Sequence, residues 1–181
     1  MLTIDDVRAI PLFSTLATTE LQRLAQTSAD LHLGAGEFAV PEGGDRALYA
    51  VLAGKMQVVK LVDGIERPLG WRVPGQIFGE VPIAFGTTFA GGYRASEPSR
   101  VLRVDPKEYY AVAAAAPEVS VKVGALARER IGGLQGIAAE APKPRGSHGN
   151  RPGHRRARGR KPAAPPSPRP RASQGRGAGR R

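Results

Sequence analysis

Between Leu31 and Val104 the apolar residues fall in short runs: Phe38–Val40, Leu48–Leu52, Met56–Val62, Leu69–Val73 and Val101–Val104. Runs this short, rich in Val, Leu and aromatic residues, predict strands rather than helices. Gly34-Ala35-Gly36, Glu42-Gly43-Gly44-Asp45, Gly54, Asp63-Gly64 and Pro74-Gly75 separate them, and these residues supply either tolerance of positive φ or a pre-set turn. Asp63-Gly64 between two apolar runs is a hairpin signature. This spacing predicts a β-sandwich or β-roll.

The period changes on both sides. Asp5 or Asp6 is placed to cap a short helix ending near Pro11, and Ser14–Ser28 puts Leu16, Leu21, Leu24 and Ala25 at helical spacing. After the strands, Asp105-Pro106 reads as an N-cap with Pro at the first helical position, opening a helix through Ala116. A second helix opens at Pro117-Glu118, with an apolar stripe of Val119, Val123, Leu126, Ala127 and Ile131 and with Lys122, Arg128 and Glu129 off it. Gly132-Gly133 and Gly136 are expected to fray its end.

Charge divides the chain in two. Residues 1–140 carry 14 Lys and Arg against 16 Asp and Glu, whereas 141–181 carry 13 Lys and Arg and no acid, so the net +11 belongs to the tail. The chain of 181 residues suits one core, giving a domain over 1–140 and a disordered Arg/Pro/Gly/Ala-rich tail over 141–181, which lacks the apolar area to offset its ordering entropy. Three readings of the tail compete: a polyanion-binding arm, a linker, and an out-of-frame translation of GC-rich coding sequence. The abrupt compositional break favours the last. The tail holds no Phe, Trp or Tyr, which speaks against a base-stacking nucleic-acid arm.

Candidate chemistry is sparse. Without Cys there is no disulfide, thiolate metal site or thiol nucleophile, and the histidines are His32, His148 and His154. His32 has no second metal-type ligand at suitable spacing, no Ser-His-acid constellation can be assembled, and no Gly-rich βαβ unit is present. No catalytic residue, metal site or cofactor is expected. The start lacks a basic n-region followed by an apolar h-region, and no window reaches about 18 apolar residues, so a cytoplasmic protein without membrane contact is expected.

The order Pro11-Leu12-Phe13, Ala35-Gly36-Glu37-Phe38, Glu42-Gly43, Leu48-Tyr49-Ala50-Val51-Leu52, Gly54 and Pro74-Gly75-Gln76-Ile77-Phe78-Gly79-Glu80, closed by the helix from Pro117, resembles the cyclic-nucleotide-binding domain family over residues 5–135. The resemblance implies a mainly β, jelly-roll-like β-roll with flanking helices and a regulatory role: binding cAMP, cGMP or a similar phosphorylated ligand through the cassette Phe78 to Arg94. In that family a short helix after Phe-Gly-Glu holds the cyclic phosphate, here Glu80 to Phe85. Gly79 would let the backbone approach the ligand and Glu80 would accept a hydrogen bond from the ribose 2′-hydroxyl. Val81 and its neighbours would donate backbone N–H groups, Pro82 excepted.

This sequence departs from the family at the phosphate clamp. An Arg is expected near Ala90, but Phe89-Ala90-Gly91-Gly92 carries no cation, and its loss removes about 1.5 to 3 kcal/mol. Arg94, next to Ala95 and two residues after Gly92, is the candidate replacement. Gly79, Glu80, Val81, Gly92, Arg94 and Ala95 are thus the candidate ligand residues. Each of the two charged ones has a plain structural reading as well: Glu80 as an acid opening a helical turn, Arg94 as a solvated strand residue. Trp71 and Tyr93 are candidates to stack on a purine, or core and edge filling. The competing function is a degenerate, ligand-free scaffold module.

Two partners follow from the same wording. Glu20 to Leu24, Asp63 to Arg67 and Ala127 to Ile131 resemble a subgroup in which this module precedes a thioredoxin-reductase-like FAD oxidoreductase. The stripe on Pro117 to Ile131 is a candidate homodimer seam, or packs on its own β-roll. No helix-turn-helix follows Gly136, so sequence-specific DNA reading is not expected.

Overall fold

The computed structural model describes residues 1–139, with side-chain surroundings through residue 132. The tail, 141–181, and what the sequence leads one to expect of it lie outside the described residues. Two helices, α1 (Ile4–Arg8) and α2 (Thr18–Thr27), precede strands β1 (Ala29–Leu33), β2 (Phe38–Val40), β3 (Leu48–Ala53), β4 (Met56–Val62), β5 (Ile65–Arg72) and β6 (Ile77–Phe78). Helix α3 (Glu80–Phe85), strands β7 (Gly92–Ala95) and β8 (Ser99–Val104), and helices α4 (Pro106–Ala115) and α5 (Pro117–Ala139) complete the order.

The strands form two antiparallel four-stranded sheets, in the orders β1-β8-β3-β6 and β2-β7-β4-β5. This is the expected β-roll with flanking helices. At the predicted hairpin, Val62 faces Ile65 and the two residues between them, Asp63 and Gly64, have φ of 53° and 76°. Positive φ at both positions matches the right-handed strand twist, which is why Asp-Gly serves there.

The core lies in two parts. Between the sheets pack Val40, Tyr49, Val51, Met56, Phe78, Phe89, Ala95 and Val101. On the other face of the first sheet, Leu48, Ala50, Leu102 and Val104 meet Leu21 and Leu24 of α2, Tyr109 and Val112 of α4, and Val119 and Val123 of α5. Period-two alternation along β3 and β8 feeds both parts at once. Val119, Val123 and Ala127 are fully buried, so the stripe on α5 is covered within this chain.

Two expectations need correction at helix ends. The cap of α1 is Thr3, not Asp5 or Asp6: the Thr3 side chain accepts from the Asp6 N–H while the Asp6 carboxylate accepts from the Thr3 N–H. Helix α5 does not fray at Gly132-Gly133 but runs to Ala139, since a glycine costs a helix only about 1 kcal/mol relative to alanine. Among the described residues no helix is long and apolar enough to cross a membrane.

One ionic knot fixes α1 to the first sheet. Arg100 on β8 donates to Asp30 on β1 (Nε to Oδ1 2.9 Å, Nη2 to Oδ2 3.0 Å) and to Asp6 on α1 (Nη1 to Oδ1 3.0 Å). These bonds hold both carboxyls below the usual carboxylate range, Arg100 being the main cause at each. Carboxyls depressed in the folded state stabilise it above their unfolded pKa of about 4 and lose that contribution as pH falls. Arg100→Met is therefore expected to lower stability in urea by about 1.5 to 3 kcal/mol at pH 7, with the gap to the parent closing as the pH falls from about 4 to below 3. A gap independent of pH would contradict this account.

Candidate functional site

The segment after β6 turns on Gly79, whose φ of 87° and ψ of 6° lie in the left-handed region. A Cβ there would come 2.1 Å from the Ala47 carbonyl oxygen and 3.0 Å from Phe89 Cζ. The chain's own backbone and the Phe89 ring thus demand glycine, whether or not a ligand also approaches. Helix α3 follows, six residues long with Glu80 first and Pro82 third. Pro82 has no N–H to offer.

Glu80 is 1% exposed. Its Oε1 lies 2.5 Å from Arg130 Nη1 of α5, and Arg130 Nη2 donates to the Ile77 carbonyl at 3.0 Å. The ion pair is close but poorly aligned: among the described residues, Glu80 Oε2, Arg130 Nη1 and Arg72 Nε are buried without a hydrogen-bond partner. A carboxylate so enclosed needs an opposite charge beside it, and α5 supplies one. Arg130 was legible in principle, for it stands three residues after Ala127 and seven after Val123 on the buried stripe.

Four rings fill the space beside this pair. Tyr49 stacks on Phe78 (centroids 4.8 Å apart) and Phe78 on Tyr93 (4.2 Å), while Phe89 meets Tyr49 and Tyr93 edge-on at 5.8 and 5.7 Å. Edge and offset contacts of this kind add to the burial of each ring. Burial pushes the Tyr93 hydroxyl pKa up, and the negative charge of Glu80 pushes it further. Phe89 therefore fills the interior next to Ala90, where the resemblance led one to expect a cation.

Strand register decides which face each remaining residue takes. Arg72, Met56 and Ala95 lie in one row across β5, β4 and β7, and Trp71, Gln57 and Arg94 in the next. Met56 and Ala95 are buried in the core, so the first row points inward and the second outward. Arg94 accordingly donates to Glu66 Oε2 at 2.8 Å and Gln57 Oε1 at 3.1 Å. It is not gathered with Glu80, because Tyr93 takes the inward position on β7. Trp71, 44% exposed, lies under Lys55 Nζ at 4.2 Å rather than inside. A Cβ at Gly92 would meet Phe38 Cε1 at 2.8 Å, so Gly92 answers to packing. Val81 is half-buried beside Glu80.

The structure thus brings together Gly79, Glu80, Val81, Phe89, Tyr93, Arg72 and Arg130, of which the motif pointed to the first three. Two surface concavities lie elsewhere: one of about 400 Å3 beside His32, Pro98 and Arg100, and one of about 280 Å3 among Ile83, Phe85, Tyr110 and Gly124. Neither is lined by Glu80, which is enclosed beside Arg130 of α5.

Residues 31–115 match the family described as the cyclic nucleotide-binding domain. Among solved structures, the catabolite activator protein of Thermus thermophilus is similar with a TM-score of 0.62 and 25% identity, over 71% of this chain and 62% of that one. The regulatory domain of Toxoplasma gondii PKA, crystallised with cAMP, is similar with a TM-score of 0.54 and 24% identity, over 60% and 42%. The sensor domain of the transcriptional regulator DNR from Pseudomonas aeruginosa has a TM-score of 0.61 and 20% identity, over 77% and 93%. The chain spans 62% and 42% of the first two proteins. No curated protein matches the chain.

Gly79→Ala places a methyl group 2.1 Å from a carbonyl oxygen at positive φ. A loss of at least about 2 kcal/mol is expected in denaturant unfolding. An unchanged midpoint would mean that the Ala47 backbone yields.

Proposed function

We propose that this chain, whose residues 31–115 match the cyclic nucleotide-binding domain family, senses a cyclic nucleotide, cAMP or cGMP, and reports it through α5. The observation that carries the proposal is the buried contact between Glu80, at the head of the cassette, and Arg130, on the last helix. A ribose hydroxyl donating to Glu80 would satisfy the orphaned Oε2 and compete with Arg130 for the carboxylate. Any change in that competition alters the hold of the cassette on α5. The ligand's charge and hydroxyl act on the same element that a partner can read, so ligand binding shifts an equilibrium between two placements of the helix.

In this reading Gly79, Glu80 and Val81 form the ligand-facing segment, while Gly92 and Ala95 contribute backbone and shape. Arg94 holds Glu66 and Gln57 on the outer face and takes no part. The reader of α5 is proposed to be a thioredoxin-reductase-like FAD oxidoreductase domain, or a second copy meeting the outer side of Pro117–Ile131, where Val121 is 66% exposed.

A second reading is favoured by Phe89, whose ring tip reaches the Gly79 turn: with the rings closed over the cassette, the domain is a ligand-free scaffold. Calorimetric titration of the full chain with cAMP and with cGMP separates the two. The sensing reading predicts saturable heat with one of them and at least tenfold weaker binding in Glu80→Gln, a loss of about 1.4 kcal/mol. No heat with either nucleotide overturns the sensing of cAMP or cGMP and favours the scaffold.

A further inference from the structure

We propose that the cation missing from the cassette is supplied from outside it: Arg72 on β5 and Arg130 on α5 together bind the anionic group of a phosphorylated ligand. This rests on the sensing role proposed above and names the chemistry that the site selects.

Arg72 belongs to the inward row with Met56 and Ala95. Its guanidinium carbon lies 5.9 Å from the centre of the Tyr93 ring, and its Nη1 donates to the Trp71 carbonyl at 2.7 Å. Its Nε is buried and unpartnered among the described residues, as is Arg130 Nη1 as a donor. The charged groups facing Arg72 are Arg130 and Glu80, and burial together with the Arg130 charge lowers the Arg72 pKa. Arg130 is paired with Glu80, whereas among the described residues no carboxylate lies within ion-pair reach of Arg72, which leaves one positive charge in excess in a poorly solvated place. Such an excess is costly unless an anion joins it.

The unsatisfied atoms also specify the ligand. Arg72 Nε is a donor that needs an acceptor oxygen, Arg130 Nη1 meets Glu80 Oε1 out of hydrogen-bond alignment, and Glu80 Oε2 is an acceptor that needs a donor. A sugar phosphate offers both on one molecule, phosphoryl oxygens for the arginines and a hydroxyl for the carboxylate. A phosphodiester monoanion matches the excess charge. Guanidinium is suited to this task by its planar fork of donors.

The single tryptophan, Trp71, adjoins Arg72 and serves as the reporter. The full chain is titrated with cAMP and with adenosine by Trp71 fluorescence, and its melting is followed with inorganic phosphate. The expected result is that Arg72→Met weakens cAMP at least tenfold without changing adenosine and abolishes stabilisation by phosphate, that Arg72→Lys retains part of both, and that Arg94→Ala changes neither. If Arg72→Met and Arg72→Lys both bind cAMP and phosphate like the parent, the arginine pair is overturned while nucleotide sensing stands. If phosphate stabilises the parent through Arg72 but no cyclic nucleotide binds, the arginine pair stands and the nucleotide reading falls. A parent indifferent to phosphate and to cAMP overturns the arginine pair. Should Arg72→Met fail to fold, Arg72→Lys decides between the same outcomes.

Discussion

A carboxylate that solvent hardly reaches is the constraint from which the rest of this domain follows. Glu80, at the head of α3, is 1% exposed, and a charge in such a place must be matched. Arg130 matches it from α5, and the second Arg130 donor group fastens to Ile77 on β6. The last helix is thereby tied to the strand and the turn that begin the cassette. A buried pair of this kind adds little net stability over apolar residues of the same shape, yet removing one partner costs about 3 to 5 kcal/mol. Its effect is to specify where α5 lies. That makes the pair suited to a switch, because a ligand that changes the demand on Glu80 acts on the helix directly.

The surroundings obey the same constraint. Gly79 takes a left-handed conformation because the Ala47 carbonyl and the Phe89 ring leave no room for a side chain. Phe89, Tyr93, Phe78 and Tyr49 close the interior beside the carboxylate. Phe89 is the residue of the Phe89-Ala90 pair that turns into this core, while Ala90 stays exposed. The unpartnered Nε of Arg72 and the misaligned pair of Arg130 and Glu80 lie at this border between rings and charge, where a phosphorylated ligand would complete what the protein leaves open.

Much of the fold was legible because its signals are local. Apolar runs of three to seven residues punctuated by glycine become strands, and Asp63-Gly64 becomes the tight hairpin because both positions need positive φ. The cap at Thr3 was missed because adjacent acids are equally plausible caps until the reciprocal bond with Asp6 is seen. The site was harder, because it depends on residues distant in sequence. Glu80 stood out by its motif, but Arg130 is set by helical phase fifty residues later. The facing of Arg94 depends on register: Tyr93 and Ala95 flank it, and the pleat that turns them inward turns it outward. Arg72, inside a run read simply as a strand, faces inward by the same alternation.

The central claim is that the cassette and α5 are one coupled element through Glu80 and Arg130, and amide hydrogen exchange along α5 tests it most directly. The account predicts that saturating cyclic nucleotide changes exchange from Val119 to Arg130, and that Arg130→Met removes this response while α2 and the strands exchange as before. Bound nucleotide with α5 exchange unaltered in the parent would contradict it.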